Sequence, residues 1–483
     1  MVPVEAFLAR MRTGLVEREE ASALVLLAAL SGEHVLLLGP PGTAKSQLAR
    51  RLHAVVGGGY FERLLTRFTV PEELFGPLSI KRLEEDEYHR LTEGYLPTAT
   101  VAFLDEVFKA NSAILNALLT LLNEREFDNG IVRDRCPLMA VVAASNEVPE
   151  GSELAALYDR FLFRIPVAPV SDAGFEELLS SSAEVPEIPA TDRLSPEQLG
   201  ALQAKARDVV VPPSVRTAVG ALRRSLRDRG LYISDRRWRQ LVRTLRVAAL
   251  CEGRESVSLA DVWLCEHVIW DVPAQRETAA QLVEEALGDQ LVEEPKRFAS
   301  VTEAFRTQLR KEVDQQGPLD DEYGQPLFLD DAGKPTTDGN GPALRFAAPK
   351  EWRGPEQRDY SSRELWEGHF RLLPSGMSRL EAWTENPLNH RVYSQRERCI
   401  GPRRFSEDHL ARRKAQVGVL REEVERFRAG LESIQASSSL WVAKARLRLH
   451  AKQAAEGLEA IDALTPLLDD LEELLKELAE RSP

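Results

Sequence analysis

The chain of 483 residues is 43% hydrophobic and 29% charged, ordinary globular usage that excludes disorder over most of its length. Its net charge of -14 excludes a protein that holds nucleic acid mainly through a basic surface. Four cysteines, Cys136, Cys251, Cys265 and Cys399, lie far apart without a CxxC pair, which excludes a zinc ribbon or a disulfide framework and fits a reducing compartment.

Leu8, Met11 and Leu15 recur at helical spacing. The apolar run at 23–30 follows Glu17, Arg18, Glu19 and Glu20, the wrong flank for a secretory signal. Neither it nor any other stretch approaches the ~20 residues of a membrane span, so a cytoplasmic protein is expected. Residues 35–38 form a short apolar run ending in Gly39, which predicts a buried parallel strand. Residues 100–105 and 138–144 repeat the pattern. Between them, Ile114, Leu115, Leu118, Leu119 and Leu122 mark one face of a helix over 112–123. This alternation predicts an α/β fold, a parallel sheet covered by helices. Asn129-Gly130 between β-compatible residues predicts a hairpin over 126–132.

Residues 171–192 are rich in Ser, Glu and Pro and read as a connecting segment. Residues 195–270 read as all-helical, opening with Ser195 as cap and Pro196 in the first turn. Two helical segments, 275–287 and 299–315, follow. Turn chemistry then dominates 316–345, and 346–404 adds Trp352, Tyr360, Trp366, Trp383 and Tyr393, so 316–404 reads as a small β-containing domain. From Ser406 a heptad-type stripe runs through Leu410, Val417, Leu420, Val424, Phe427, Leu431 and Ile434. A second helix, which Pro466 should kink or break, carries Leu447 to Leu478. The pair implies an antiparallel hairpin whose seam is closed by the helices before residue 316, or else an independent dimerising coiled coil.

Gly39, Pro40, Pro41, Gly42, Thr43, Ala44, Lys45 and Ser46 follow a buried strand and open a helix, the context of a phosphate-binding loop. Backbone N–H groups and the helix N-terminus suit phosphate oxygens. Lys45 neutralises the β/γ oxygens and the Ser46 hydroxyl ligates Mg²⁺. Ala44 replaces the second glycine of GxxxxGK[ST] and tolerates positive φ less well. Asp105 and Glu106 end the next strand, where one carboxylate can hold the Mg²⁺ shell and the other polarise water. An N-cap pair is the alternative. Asn146, after the third strand, could position the attacking water, or simply occupy a turn. Arg160, beside Asp159, could reach a neighbouring subunit's nucleotide as an arginine finger, or pair with Asp159 or Glu153. One arginine of Arg236 and Arg237 could reach the γ-phosphate from the helical part.

That order of features resembles the AAA+ ATPases. The stretches 69–80, 91–97, 103–106, 144–147 and 157–160 are similar to the MoxR group, specifically its RavA branch, over roughly residues 10 to 270. The resemblance implies that Ala44 is a branch feature, that 81–88 lies in an insert, and that the Asn129-Gly130 hairpin is the pre-sensor hairpin near a ring pore. It makes Glu106 the base, Asn146 sensor 1, Arg160 the arginine finger and Arg236 the likelier sensor 2. The domain plan is then an AAA+ αβα subdomain (1–190), an all-α lid (191–272), the first part of a helical stalk (273–315), an inserted partner-docking domain (316–404) and a hairpin completing the stalk (405–483). The expected function is Mg²⁺-dependent ATP hydrolysis in a homo-hexameric ring that remodels or activates a protein. The expected partners are a von Willebrand factor A domain protein and a client held through 316–404, with no nucleic acid. An ATP-gated scaffold of slow turnover and a metal-chelatase motor are the alternatives.

Overall fold

The computed structural model describes residues 3–149, 152–180, 185, 187–344, 392–436 and 438–481. The chain forms two compact units, Met1–Pro295 with Arg428–Glu459, and Lys296–Phe427 with Ala460–Pro483.

The first unit is built on strands β1 (His34–Leu38), β2 (Tyr60–Leu64), β3 (Val101–Asp105), β6 (Ala140–Ser145) and β7 (Phe161–Pro166), with a separate hairpin of β4 (Glu126–Asn129) and β5 (Val132–Arg135). The five strands pair in the order β2-β3-β6-β1-β7, all parallel. Every residue of β1 and β6 is buried, as expected of central strands covered on both faces. The apolar run at 23–30 is a core helix, Glu19–Ser31, buried from Ala21 through Ser31 on all sides. Helix Ser112–Glu124 begins where the sequence predicts, its first turn capped by the Asn111 side chain, which accepts from the Ile114 N–H at 3.2 Å.

The all-helical part that the sequence predicts opens with Ser195 and Gln198 in a reciprocal capping box. Its longest helix, Asp235–Cys251, lies along the edge at which the strands begin. There Ser234 donates to the Asp159 carboxylate at 3.3 Å, and Gln240 and Arg243 both engage Glu33, the residue before β1. The turn around Trp441 docks on the same helix. The Trp441 indole N–H donates to the Ala248 carbonyl at 3.2 Å, and Glu252 accepts the Leu440 N–H at 2.7 Å.

In the second unit the hairpin seam is closed by the helix that precedes the insert. Phe298 meets Phe427 edge-on with centroids 5.7 Å apart, and Glu312 pairs with Arg413 at 2.5 Å and His409 at 3.1 Å. Pro466 sits in the first turn of a new helix, Thr465–Glu480, after the preceding one ends at Asp462. Short strand pairs join Gln316–Pro318 to Ile400–Pro402 and Phe328–Leu329 to Pro335–Thr336. The aromatic residues Trp352, Tyr360, Trp366 and Trp383 lie outside the described residues.

Two elements differ from the sequence reading. The two segments expected at 275–287 and 299–315 are one helix, Arg276–Asp314, that contains Pro295. Leu291 and Phe298 on either side of the proline are buried, so packing carries the helix across a residue that breaks it locally. The expected connector at 171–192 contains a helix, Asp172–Ser180. Its start is fixed by a long-range contact: Ser171 is held by Glu17 and its hydroxyl caps Gly174.

Candidate active site at the carboxyl edge of the sheet

The loop after β1 turns sharply into helix Lys45–Val56. A Cβ on Gly39 would lie 2.1 Å from the Val167 carbonyl oxygen, so only glycine fits beside β7. Gly42 and Ala44 both adopt left-handed backbone, φ +84° and +68°. Ala44 therefore occupies the strained conformation that glycine takes at no cost, about 1–2 kcal/mol for a residue with Cβ.

Lys45 is buried, and its ammonium donates to the carbonyls of Gly39 (2.6 Å) and Pro40 (2.8 Å) and to Asn146 Oδ1 (3.4 Å). Burial lowers its pKa, against the opposing charges of Asp105 and Glu106. Asn146 uses its other end, Nδ2, to hold Glu106 Oε1 at 2.5 Å. Lys109 lies 3.2 Å from Glu106 Oε2. Asp105 Oδ1 accepts the Glu106 N–H at 3.0 Å. Glu106 itself is in left-handed backbone, φ +51°, and is 9% exposed. Left-handed backbone at a residue with Cβ costs about 1–3 kcal/mol and persists only where the surrounding contacts hold it.

Three sequence-derived candidates thus converge from three strand ends: Lys45, Glu106 and Asn146. Ser46 is half-buried in the first turn of the helix, and Asp105 is half-buried at the end of β3. Among the described residues no hydrogen bond uses the second oxygen of Asp105. A hydroxyl and a free carboxylate oxygen are hard donors, suited to Mg²⁺.

Arg18 escaped the sequence reading because it sits in a charged run that looks like a solvated helix start. It is 8% exposed, and its guanidinium donates to the carbonyls of Thr43 (3.3 Å), Glu17 (2.7 Å) and Ala168 (2.6 Å). It ties the loop after β1 to the exit of β7. No local sequence signal reports this.

Arg160 and the lid arginines lie elsewhere. His34 pairs with Phe161, so Arg160 stands just outside the edge at which β1 and β7 begin, whereas Gly39 lies past the edge at which β1 ends. Five strand residues at ~3.3 Å each separate the edges by roughly 17 Å, beyond one arginine's reach. Arg160 is not paired with Asp159, whose carboxylate takes the Ser234 hydroxyl. Its Nε and Nη1 are buried and carry no hydrogen bond. The Glu153 side chain lies outside the described residues.

The lid arginines of the sequence reading also lie away from Lys45. The start of the lid helix is held beside Asp159, at the same edge as Arg160. Arg237 is 2% exposed and shares Asp271 with Arg164, at 3.4 and 2.5 Å. Burial and the Arg164 charge lower its pKa to about 10. Arg236 is exposed.

A family model described as the MoxR domain in the MoxR-vWA-beta-propeller ternary systems matches residues 3–204, and an AAA lid domain matches residues 214–283. An uncharacterised protein of Methanocaldococcus jannaschii is 41% identical over 272 residues, 56% of this chain and 71% of its own. Protein MoxR of Paracoccus denitrificans is 30% identical over 270 residues, 50% of this chain and 78% of its own. Chaperone MoxR1 of Mycobacterium tuberculosis is 31% identical over 157 residues, 32% of this chain and 41% of its own.

Proposed function

Because the chain belongs to the MoxR family of AAA+ ATPases, we propose that it hydrolyses ATP at the carboxyl edge of its sheet and uses the cycle to remodel a protein partner. The observation that carries this is the chain of contacts from Lys45 through Asn146 to Glu106.

In this reading the phosphates displace the Gly39 and Pro40 carbonyls from the Lys45 ammonium, and the loop N–H groups and the helix N-terminus take the remaining oxygens. Ser46 and Asp105 would hold Mg²⁺, which supplies charge neutralisation at the β/γ oxygens. Glu106 accepts the proton of the attacking water. Asn146 orients that water and, through its Nδ2, holds the Glu106 carboxylate.

Arg160 completes the site of the next subunit in a ring, and Arg236 acts beside it from the lid, also in trans. Their shared edge, away from Lys45, supports both assignments. A homo-hexamer is the assembly proposed. A von Willebrand factor A domain protein is the proposed partner, supported by the matched family model's description, which couples MoxR to vWA. The RavA branch assignment is supported by a helical bundle that brackets a strand-containing insert, and residues 316–404 are the proposed docking domain for a further client. Among the described residues no helix is long and apolar enough to cross a membrane.

The test is Mg-ATP turnover by phosphate release, with two variants. Lys45→Ala should abolish turnover and remove the ATP binding that depends on the loop at 39–46, seen by calorimetry. Glu106→Gln should bind ATP and lose at least ~10²-fold in rate, because an amide cannot accept the proton. Wild-type turnover in Glu106→Gln would move the base elsewhere.

A further inference from the structure

The lid carries charge opposite to that of the chain. Residues 214–251 hold ten arginines against two aspartates in a protein of net charge -14. Part of this charge faces a cavity of about 460 Å³, lined by Arg207, Arg239, Arg243 and Arg246 and by no acidic residue. Its apolar wall is Trp238, Val242 and Val247. The volume lies within the ~300–1,000 Å³ of small-molecule sites.

Three of the four guanidinium groups are not consumed internally. Arg243 is paired with Glu33, which also takes Gln240. Among the described residues, no hydrogen bond or ion pair engages the guanidinium of Arg207 or Arg239. Arg246 donates only a long bond, 3.4 Å, to the Arg207 carbonyl, and its Nε is buried without a partner. Bringing three such cations around one concavity costs repulsion that an anion would relieve.

We infer that this cavity is a second anion site, and that its ligand is a nucleoside di- or triphosphate. The guanidinium forks match phosphate oxygens in bidentate geometry. The exposed part of the Trp238 ring gives a base a stacking surface of a kind that charge alone would not supply. The site is distinct from the phosphate loop. Ser31, which lines it, precedes β1, and Gly39 follows β1 at the other edge of the sheet.

The experiment titrates full-length Lys45→Ala protein with ADP, inorganic pyrophosphate and adenosine by calorimetry. ADP should bind with submillimolar affinity, pyrophosphate more weakly and adenosine weakest. Arg239→Glu with Arg246→Gln should weaken ADP at least ~10-fold, each lost charged contact being worth about 1.5–3 kcal/mol. Arg239→Ala alone, at an exposed position, guards against a folding defect in the double variant. ADP binding that ignores these arginines overturns the inference, as does no binding of ADP or pyrophosphate at millimolar concentration. So does arginine-dependent binding of single-stranded DNA or an acidic peptide without ADP binding. If Lys45 does not serve the phosphate loop, two classes of ADP site appear in the same titration and only one responds to Arg239, so failure of the loop assignment is distinguishable from failure of this one.

Discussion

Replacing Arg160 by alanine separates a ring mechanism from a self-contained one. The residue stands roughly 17 Å from the edge that carries Lys45, counting five strand residues at ~3.3 Å, so its own nucleotide is out of reach. Its Nε and Nη1 are buried and unpaired, so the truncation removes no hydrogen bond and leaves no partner orphaned. Arg160→Ala should therefore melt within ~0.5 kcal/mol of wild type and bind ATP normally. Turnover should fall on the order of 10³-fold, the contribution of an arginine finger supplied in trans, or about 4 kcal/mol of transition-state stabilisation. The assay is phosphate release from each variant and from a mixture with Lys45→Ala subunits. In the mixture, some interfaces pair an intact phosphate loop with an intact Arg160, and activity should return in part. Mixed rings that form and remain inactive would refute the argument, as would a large drop in melting temperature.

Arg18→Ala should weaken ATP binding about tenfold without loss of secondary structure, because the Thr43 and Ala168 carbonyls lose a charged donor worth about 1.5–3 kcal/mol. Calorimetry and circular dichroism test it, and unchanged affinity removes Arg18 from the loop's support. Ala44→Gly should keep nucleotide binding and change stability by at most about 1 kcal/mol, since relief of ~1–2 kcal/mol of left-handed strain is offset by ~0.5–1 kcal/mol of chain entropy. Loss of binding would show that the alanine methyl has a role of its own. His34 is fully buried; its Nδ1 accepts the Val141 N–H at 3.0 Å, its Nε2 faces the Leu122 carbonyl, and burial lowers its pKa from 6.5 to about 3. Below pH 6.5 the unfolded chain takes up a proton that the folded chain refuses, so this group's contribution is lost as pH falls toward 3, on the order of 4–5 kcal/mol in full. Denaturant melts across that window should show it, and His34→Gln should flatten that part of the curve.

The sharp turn after β1, the acidic pair at the end of β3 and the strand–helix alternation were legible because each is local. A buried strand between covering helices must be apolar throughout, and a loop that receives phosphate must have glycines, a lysine and a hydroxyl at fixed offsets. Helix 112–124 was legible for the same reason, through its apolar face. What was not legible depends on residues far apart in the chain. Arg18 looks like solvated charge until Thr43 and Ala168 are folded against it. The helix at 172–180 depends on Glu17 holding Ser171, and the helix across Pro295 on burial of Leu291 and Phe298. The position of the lid was the largest such matter. The sequence determined that the lid is helical and rich in arginine, but the contacts of Glu33 and Asp159 with residues 234–243 decided that it lies at the edge opposite Lys45. Sequence spacing fixes which residue types are present; which edge of a parallel sheet they reach is set by packing between elements distant in sequence.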